Sequence, residues 1–238
     1  MPDILITIAI LVPSLVIAIV FHEVAHGYAA KALGDPTASD RGRLTLNPIK
    51  HVSPVGTLMV PGFLALVGGP VFGWAKPVPV NQRRLSNPRY GMMAVAAAGP
   101  LSNFVLAGLG AIGLGLSWSA GAQVDFASSS LLFVLDAQGQ PLALASGLYV
   151  FILINLFLGL FNLLPIPPFD GSHIVGGLLP DRLRVHWQRI QQLGMVLILG
   201  VVAFSWVFGT GWLATVIGAP LQWALDHYLA LASFISGL

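Results

Sequence analysis

A run from Ile4 to Phe21 is apolar except for Thr7 and Ser14, and it leads directly into His22-Glu23-Val24-Ala25-His26. A stretch of that length restricts the fold before anything else does. In hydrocarbon the backbone N–H and C=O groups must be satisfied internally, which a helix achieves for a single segment. Eighteen residues of helix rise about 27 Å, close to the thickness of a bilayer core. The rest of the chain suits the same solvent: hydrophobic residues make up 56% and charged residues 8%, far below the roughly 25% charged of a soluble domain. The sequence therefore predicts an all-α multi-pass membrane protein. Many of its 27 glycines and 17 prolines fall inside apolar stretches, where neighbouring helices can satisfy the backbone groups they free.

A helix makes the closing motif readable. Residues four apart lie one turn apart on one face, so the imidazoles of His22 and His26 can reach a single metal ion. Glu23 stands beside them, where a carboxylate can take a proton from an attacking water. It is the only glutamate in 238 residues, among only six histidines, and an ionisable group at membrane depth is costly without a task. With no cysteine in the chain, disulfides and thiolate metal sites are excluded, and any metal must be held by histidine and carboxylate. No basic residue precedes the apolar run, and cleavage as a leader would remove the motif, so the run is expected to be retained as the first span.

Beyond Lys31, turns at Asp35-Pro36 and Asn47-Pro48 flank residues 41–46, which read as a short strand. Residues 52–74 are apolar again but interrupted by Pro54, Gly56, Pro61, Gly62, Gly68, Gly69 and Pro70. Lys31, Arg41, Arg43 and Lys50 precede this stretch, and Lys76, Arg83, Arg84 and Arg89 follow it. A full crossing would leave one basic cluster outside, so a small β-like or re-entrant excursion after the first helix is expected. Further spans are expected over residues 91–118, 142–164 and 190–208, with 119–141 a polar loop and 212–235 an amphipathic or fifth span. The whole of 1–238 reads as one integral membrane domain, with a core over about 1–180 and accessory spans over about 189–238.

All eleven Lys and Arg fall within residues 31–90 or 181–189. The excess of basic residues on cytoplasmic loops places both regions inside, and residues 119–141 and the N-terminus outside. The first span then carries His22 and His26 to its cytoplasmic end, and the third descends to Asp170 at a similar depth. A hydrolytic zinc takes three protein ligands and keeps one position open. Asp170 is the third ligand in this reading, with His173, three residues further on, as its rival. His51, His186 and His227 have no partner at ligand spacing and are expected to be surface, interfacial or core residues.

These residues resemble the site-2 proteases, the intramembrane zinc metalloproteases, in the compact form without an inserted PDZ or appended CBS domain. The likeness is carried by His22-Glu23-Val24-Ala25-His26 in the first span and Gly99-Pro100-Leu101-Ser102-Asn103 in the next. Asn162-Leu163-Leu164-Pro165 followed by Asp170-Gly171 completes it in the third, and the motifs stand in that order. It covers about residues 1–180, with Phe169 standing where leucine is commoner. The resemblance implies a three-helix catalytic core, one Zn2+ on His22, His26 and Asp170, and Glu23 as catalytic base. It also implies that Asn162, with Asn103, holds the substrate.

The implied activity is hydrolysis of peptide bonds in or near the transmembrane segments of membrane proteins, in regulated proteolysis or in peptide clearance. The implied partners are a transmembrane protein or peptide and the lipid bilayer, in a bacterial or archaeal cell membrane with the site near the cytoplasmic side. Nucleic acid is not expected, because the net charge of +2 arises from a scarcity of acids. Two other classes could use the same ligands: an inactive membrane protein that binds clients, and a metal-ion transporter. A transporter has no use for Glu23 beside the ligands and needs polar groups along a whole path, and intact ligands with Glu23 weigh against an inactive relative. Because a helical substrate has its scissile carbonyl hydrogen-bonded, residues 41–80 are expected to offer an edge on which an extended substrate can pair.

Overall fold

The first helix, α1 (Pro2–Ala32), runs 31 residues without a break through Pro13. The structure, a computed structural model, describes residues 2–66, 68, 73–118, 123–125, 133–209 and 211–237. On α1 the side chains of Leu5, Ile8, Leu11, Val12, Leu15 and Ile17 are exposed, as on a helix whose outer solvent is lipid. The one polar side chain of its middle turns is satisfied locally: Ser14 donates its hydroxyl to the Ile10 carbonyl at 2.8 Å. The helix stops at Gly34, whose φ of 102° lets Gly34 N–H reach Lys31 O at 3.1 Å and Asp35 N–H reach Ala30 O at 2.9 Å. This paired closure satisfies the last carbonyls of the helix, and glycine adopts the required left-handed backbone without a steric cost.

A short helix, α2 (Thr37–Asp40), follows. Residues 41–46, expected as a strand, form none. Gly42, at φ 61°, turns the chain so that Arg43 N–H returns to Ala38 O at 2.9 Å. Arg43 is buried there and donates from Nη2 to Lys76 O at 2.8 Å, so a tertiary contact overrides the local β pattern. The apolar stretch beyond carries a wide helical turn over Pro54–Met59 that runs into α3 (Val60–Leu66). Its beginning is bonded to its end. Trp74 N–H donates to Gly56 O and Thr57 Oγ1 donates to Trp74 O, both at 3.0 Å, with Gly56 giving the Trp74 ring the space a Cβ would fill. Gly69 and Pro70, within the same stretch, lie outside the described residues.

The long helices α4 (Pro88–Ser117) and α5 (Ala143–Asn162) complete, with α1, a set of three long and apolar enough to cross a membrane among the described residues. Between them, residues 119–141 are more than a loop: β1 (Gln123–Asp125) pairs antiparallel with β2 (Phe133–Leu135), Val124 opposite Val134. Residues 119–122 and 126–132 of that stretch lie outside the described residues. After α5 come α6 (Asp170–Leu178), α7 (Asp181–Gln192), α8 (Gly194–Phe208) and α9 (Trp212–Ser236). The span expected over residues 190–208 is a bent pair, α7 and α8, with 63° between their axes. Alone, the 15 residues of α8 rise about 22 Å, short of a bilayer core.

The chain groups into two compact units. One comprises residues 1–18, 103–160 and 217–238. Its core is a stripe from each helix: Ala107, Ala111 and Leu114 of α4, Ala145, Tyr149, Ile152 and Leu156 of α5, and Ala224, Leu225 and Ala232 of α9. The first two stripes repeat at three- and four-residue steps, the period of a single helix face. Small residues set the approach, since a Cβ on Gly115 would stand 2.5 Å from Ala232 O, the close packing by which helices associate in lipid. The other unit comprises residues 19–102 and 161–216. It contains His22, Glu23, His26, Asn162 and Asp170.

Candidate metal centre

Three donor atoms converge in this second unit. His22 Nε2 and His26 Nε2 lie 3.0 Å apart, and Asp170 Oδ2 lies 3.1 Å from the first and 3.3 Å from the second. The two rings meet edge to face, at 89°, and both histidines are buried. The proton positions follow from chemistry. His26 Nδ1 stands 2.7 Å from the Val95 carbonyl oxygen, which can only accept, so Nδ1 carries the proton and Nε2 presents a lone pair. That lone pair faces a second imidazole nitrogen and a carboxylate oxygen that is buried and accepts no hydrogen bond. Electron-rich atoms so arranged call for a cation among them. Donors bound tetrahedrally at zinc's usual 2.0–2.1 Å stand about 3.3 Å apart, so the set fits a zinc-sized ion.

Each of the three donors is placed by a local feature of the sequence. His22 and His26 owe their juxtaposition to one turn of α1. Gly99 of α4 backs them: a Cβ there would stand 2.5 Å from His26 Nε2 and 2.7 Å from His22 Cε1. Asp170 opens α6 after a compact return of the chain, in which Leu164 N–H donates to Phe161 O at 3.2 Å and Phe169 N–H to Ile166 O at 3.0 Å. Phe169 is buried, its ring centroid 4.3 Å from that of Phe161, so the larger residue at this position fills the space beneath the turn. Gly171 then allows the start of α6 to pass against the Leu163 and Leu164 carbonyls, where any Cβ would collide. Farther along, Arg89 donates from Nε to Gly177 O and from Nη2 to Leu179 O, each at 2.7 Å, capping the far end of α6.

A sequence model of peptidase family M50 matches residues 10–205. The chain belongs to that family. It is 40% identical over 195 residues to YwhC of Bacillus subtilis, provisionally named a zinc metalloprotease, covering 79% of this chain and 78% of that protein. It is 30% identical over 171 residues to Rip2 of Mycolicibacterium smegmatis, named in the same provisional way, covering 71% of this chain and 55% of the relative. A zinc metalloprotease of Methanocaldococcus jannaschii is 27% identical over 174 residues, 73% of this chain and 35% of that protein. No solved structure matches the chain. This M50 peptidase is therefore a metalloprotease of a zinc-dependent family, and its three long apolar helices make it an integral membrane protein.

The remaining residues singled out in the sequence of this M50 peptidase have diverse surroundings. Glu23 accepts a hydrogen bond at Oε2 from the backbone N–H of Val78, at 2.7 Å, a partner that no motif marks. Asn162 is the last residue of α5 and half-buried. Asn103 belongs to the first unit, is fully buried, and donates to Asn155 Oδ1 at 2.9 Å and to Ala18 O at 3.2 Å. His173 lies outside the three-donor cluster. Its Nδ1 meets Gln191 Nε2 of α7 at 3.3 Å, and burial, opposed by Asp170, pushes its pKa below the ordinary value. His51 is buried and bonded to Thr45 O at 2.9 Å, while His186 and His227 bond to carbonyls one turn back on their own helices.

Proposed function

We propose that this M50 peptidase is a zinc-dependent intramembrane endopeptidase that cuts peptide bonds in or near the transmembrane segments of membrane proteins. The observation that carries the reading is the convergence of His22 Nε2, His26 Nε2 and Asp170 Oδ2 within 3.3 Å of one another, beside Glu23, on a helix apolar enough to span a bilayer. The three would hold one Zn2+. When bound, zinc supplies a Lewis acid for the scissile carbonyl and lowers the pKa of a water toward 7. Glu23 takes the proton of the attacking water on its carboxylate as the new C–O bond forms. It passes that proton to the departing nitrogen as the C–N bond breaks, so one group serves as base and then as acid.

Asn162, at the end of α5 with its side chain half-buried, is the substrate-holding amide in this reading. Asn103 serves the helix packing, since its donors are spent on Ala18 and Asn155. In this reading the site lies near the cytoplasmic face of a bacterial or archaeal cell membrane, within one integral membrane domain; the two basic regions flanking it support the cytoplasmic side.

The test is cleavage of a single-span reporter by purified protein in detergent, wild type beside Glu23→Gln, with zinc measured on both. Wild type is expected to cut and the variant to retain zinc without cutting. A Glu23→Gln variant that cuts at the wild-type rate overturns the base, and a wild type that holds no zinc overturns the metal assignment.

A further inference from the structure

Glu23 sits on α1 with solvent-free neighbours on either side of it in sequence, Val24 and His22 both being buried. A carboxylate that must serve as base needs one oxygen presented and the side chain held, because a free rotamer would spend little time in the productive geometry. The structure shows what holds it. Residues 76–80 read Lys-Pro-Val-Pro-Val, and both prolines lack an N–H and restrict the chain to extended backbone. Val78 therefore carries the one amide hydrogen between Lys76 and Val80, and it is the one directed at Glu23 Oε2.

The segment is pinned at both ends. Lys76 N–H donates to His51 O at 2.8 Å, and Lys76 O accepts from Arg43 Nη2 at 2.8 Å. At the other end Asn81 N–H donates to Asp35 Oδ2 at 2.5 Å, and Asp35 is itself fixed by Thr37 in the turn that closes α1. Val78 is also buried, with Cγ1 3.1 Å from where a Cβ on Gly27 would stand. Gly27 lies one turn beyond Glu23 on the same helix face, so the side chain and the N–H of Val78 dock on one strip of α1.

We infer that Val78 is a positioning residue: its backbone N–H, isolated between two prolines and held by a strap pinned at Lys76 and Asn81, orients the Glu23 carboxylate and leaves Oε1 to face the attacking water. This rests on Glu23 being the base. It explains a pattern that hydropathy does not, since an extended segment with two prolines offers few backbone bonds of its own, and here the one remaining donor is spent on the catalytic helix.

Because Glu23 is the only glutamate in the chain, carbon-13 placed on the glutamate side-chain carboxyl reports on it alone. The test compares wild type, Val78→Pro and Val78→Ala by infrared spectroscopy of that label, by zinc content, and by kcat and KM on the reporter. Val78→Pro removes the N–H and joins the two flanking prolines into a run of three. It is expected to shift the carboxylate band and to lower kcat about 10- to 100-fold, with KM and zinc content unchanged. Val78→Ala keeps the N–H and loses more side chain; its band should match wild type and its kcat should stay within about threefold.

An unshifted band in Val78→Pro overturns the inference, as does a Val78→Ala variant as slow as Val78→Pro. A shifted band with unchanged kcat overturns the positioning role, and if Glu23→Gln is then also fully active the failure lies with the base assignment, the hydrogen bond itself standing. Should Val78→Pro not fold, the α-hydroxy acid analogue of valine at position 78 replaces the N–H by an ester oxygen and carries the same readouts.

Discussion

The two compact units bury polar groups in opposite ways. In the first, Asn103 is fully buried and each of its amide contacts meets a partner, Asn155 and the Ala18 carbonyl. In the second, two imidazole nitrogens and a carboxylate oxygen are brought within 3.3 Å of one another, with the His26 lone pair directed among them. A satisfied buried amide ties helices together, because breaking it would leave polar atoms in an apolar surround. A buried cluster of acceptors does the reverse until a cation joins it. The same helix, α4, serves both modes: Asn103 bonds helices in one unit, and Gly99 vacates space for the histidines in the other.

The sharpest way to break this contrast is to remove one of the three donors. Asp170→Ala should lose stoichiometric zinc and reduce reporter cleavage by about three orders of magnitude or more, read by metal analysis and a gel-based assay. Next in size is Gly99→Ala. The new Cβ would press on both imidazoles, and zinc affinity is expected to fall about 10- to 100-fold, as when groups supporting metal ligands are disturbed. Gly200→Ala on α8, where a Cβ meets nothing within 4 Å, should leave affinity unchanged. If the two glycine variants behave alike, the close approach of Gly99 does not matter to the site.

Asn103→Ala probes the other unit. It should lower stability in detergent by about 1 kcal/mol while zinc stoichiometry stays at the wild-type value, and Asn103→Ala with Asn155→Ala should cost less than the sum of the two. A loss of zinc on Asn103→Ala would dissolve the distinction between the units. The smallest effect concerns Asp35, at the anchor of the strap. Burial opposes its charge, but the hydrogen bonds from Thr37 and Asn81, with Arg84 nearby, outweigh this and lower its pKa. A lowered folded-state value means the ionised form stabilises the fold. That contribution is complete above the unfolded value of about 3.9 and is lost as pH falls through the folded value. Thermal unfolding of wild type and Asp35→Asn should therefore differ at pH 7 and converge in acid; a constant difference across that range would show that Asp35 acts through packing alone.

Much of this was legible from residue order. The run from Ile4 dictates a helix because lipid offers the backbone no other partner, and once a helix is given, His22, Glu23 and His26 share a turn by geometry. Charge asymmetry and the descent of the third span pointed to Asp170, whose carboxylate lies with the two histidines in the structure. Residues 41–46 show where local pattern misleads: their alternation suits a strand, yet Gly42 turns the chain and Arg43 is drawn inward to Lys76 O. The span expected over residues 190–208 likewise became a bent pair, since hydropathy reports the apolar stretch but not where the axis turns at Leu193.

What the sequence by itself determined, then, is the solvent, the helices and the chemical types at the centre, all properties set by near neighbours along the chain and by the cost of polarity in hydrocarbon. Only the tertiary structure decided which polar groups are satisfied and which are left facing one another. The proton on His26 is assigned by Val95, 69 residues away, and the oxygen of Glu23 is engaged by Val78, 55 residues away. Neither backbone partner is marked by its side chain, because a carbonyl or an N–H is common to almost every residue and gains meaning only from where folding puts it.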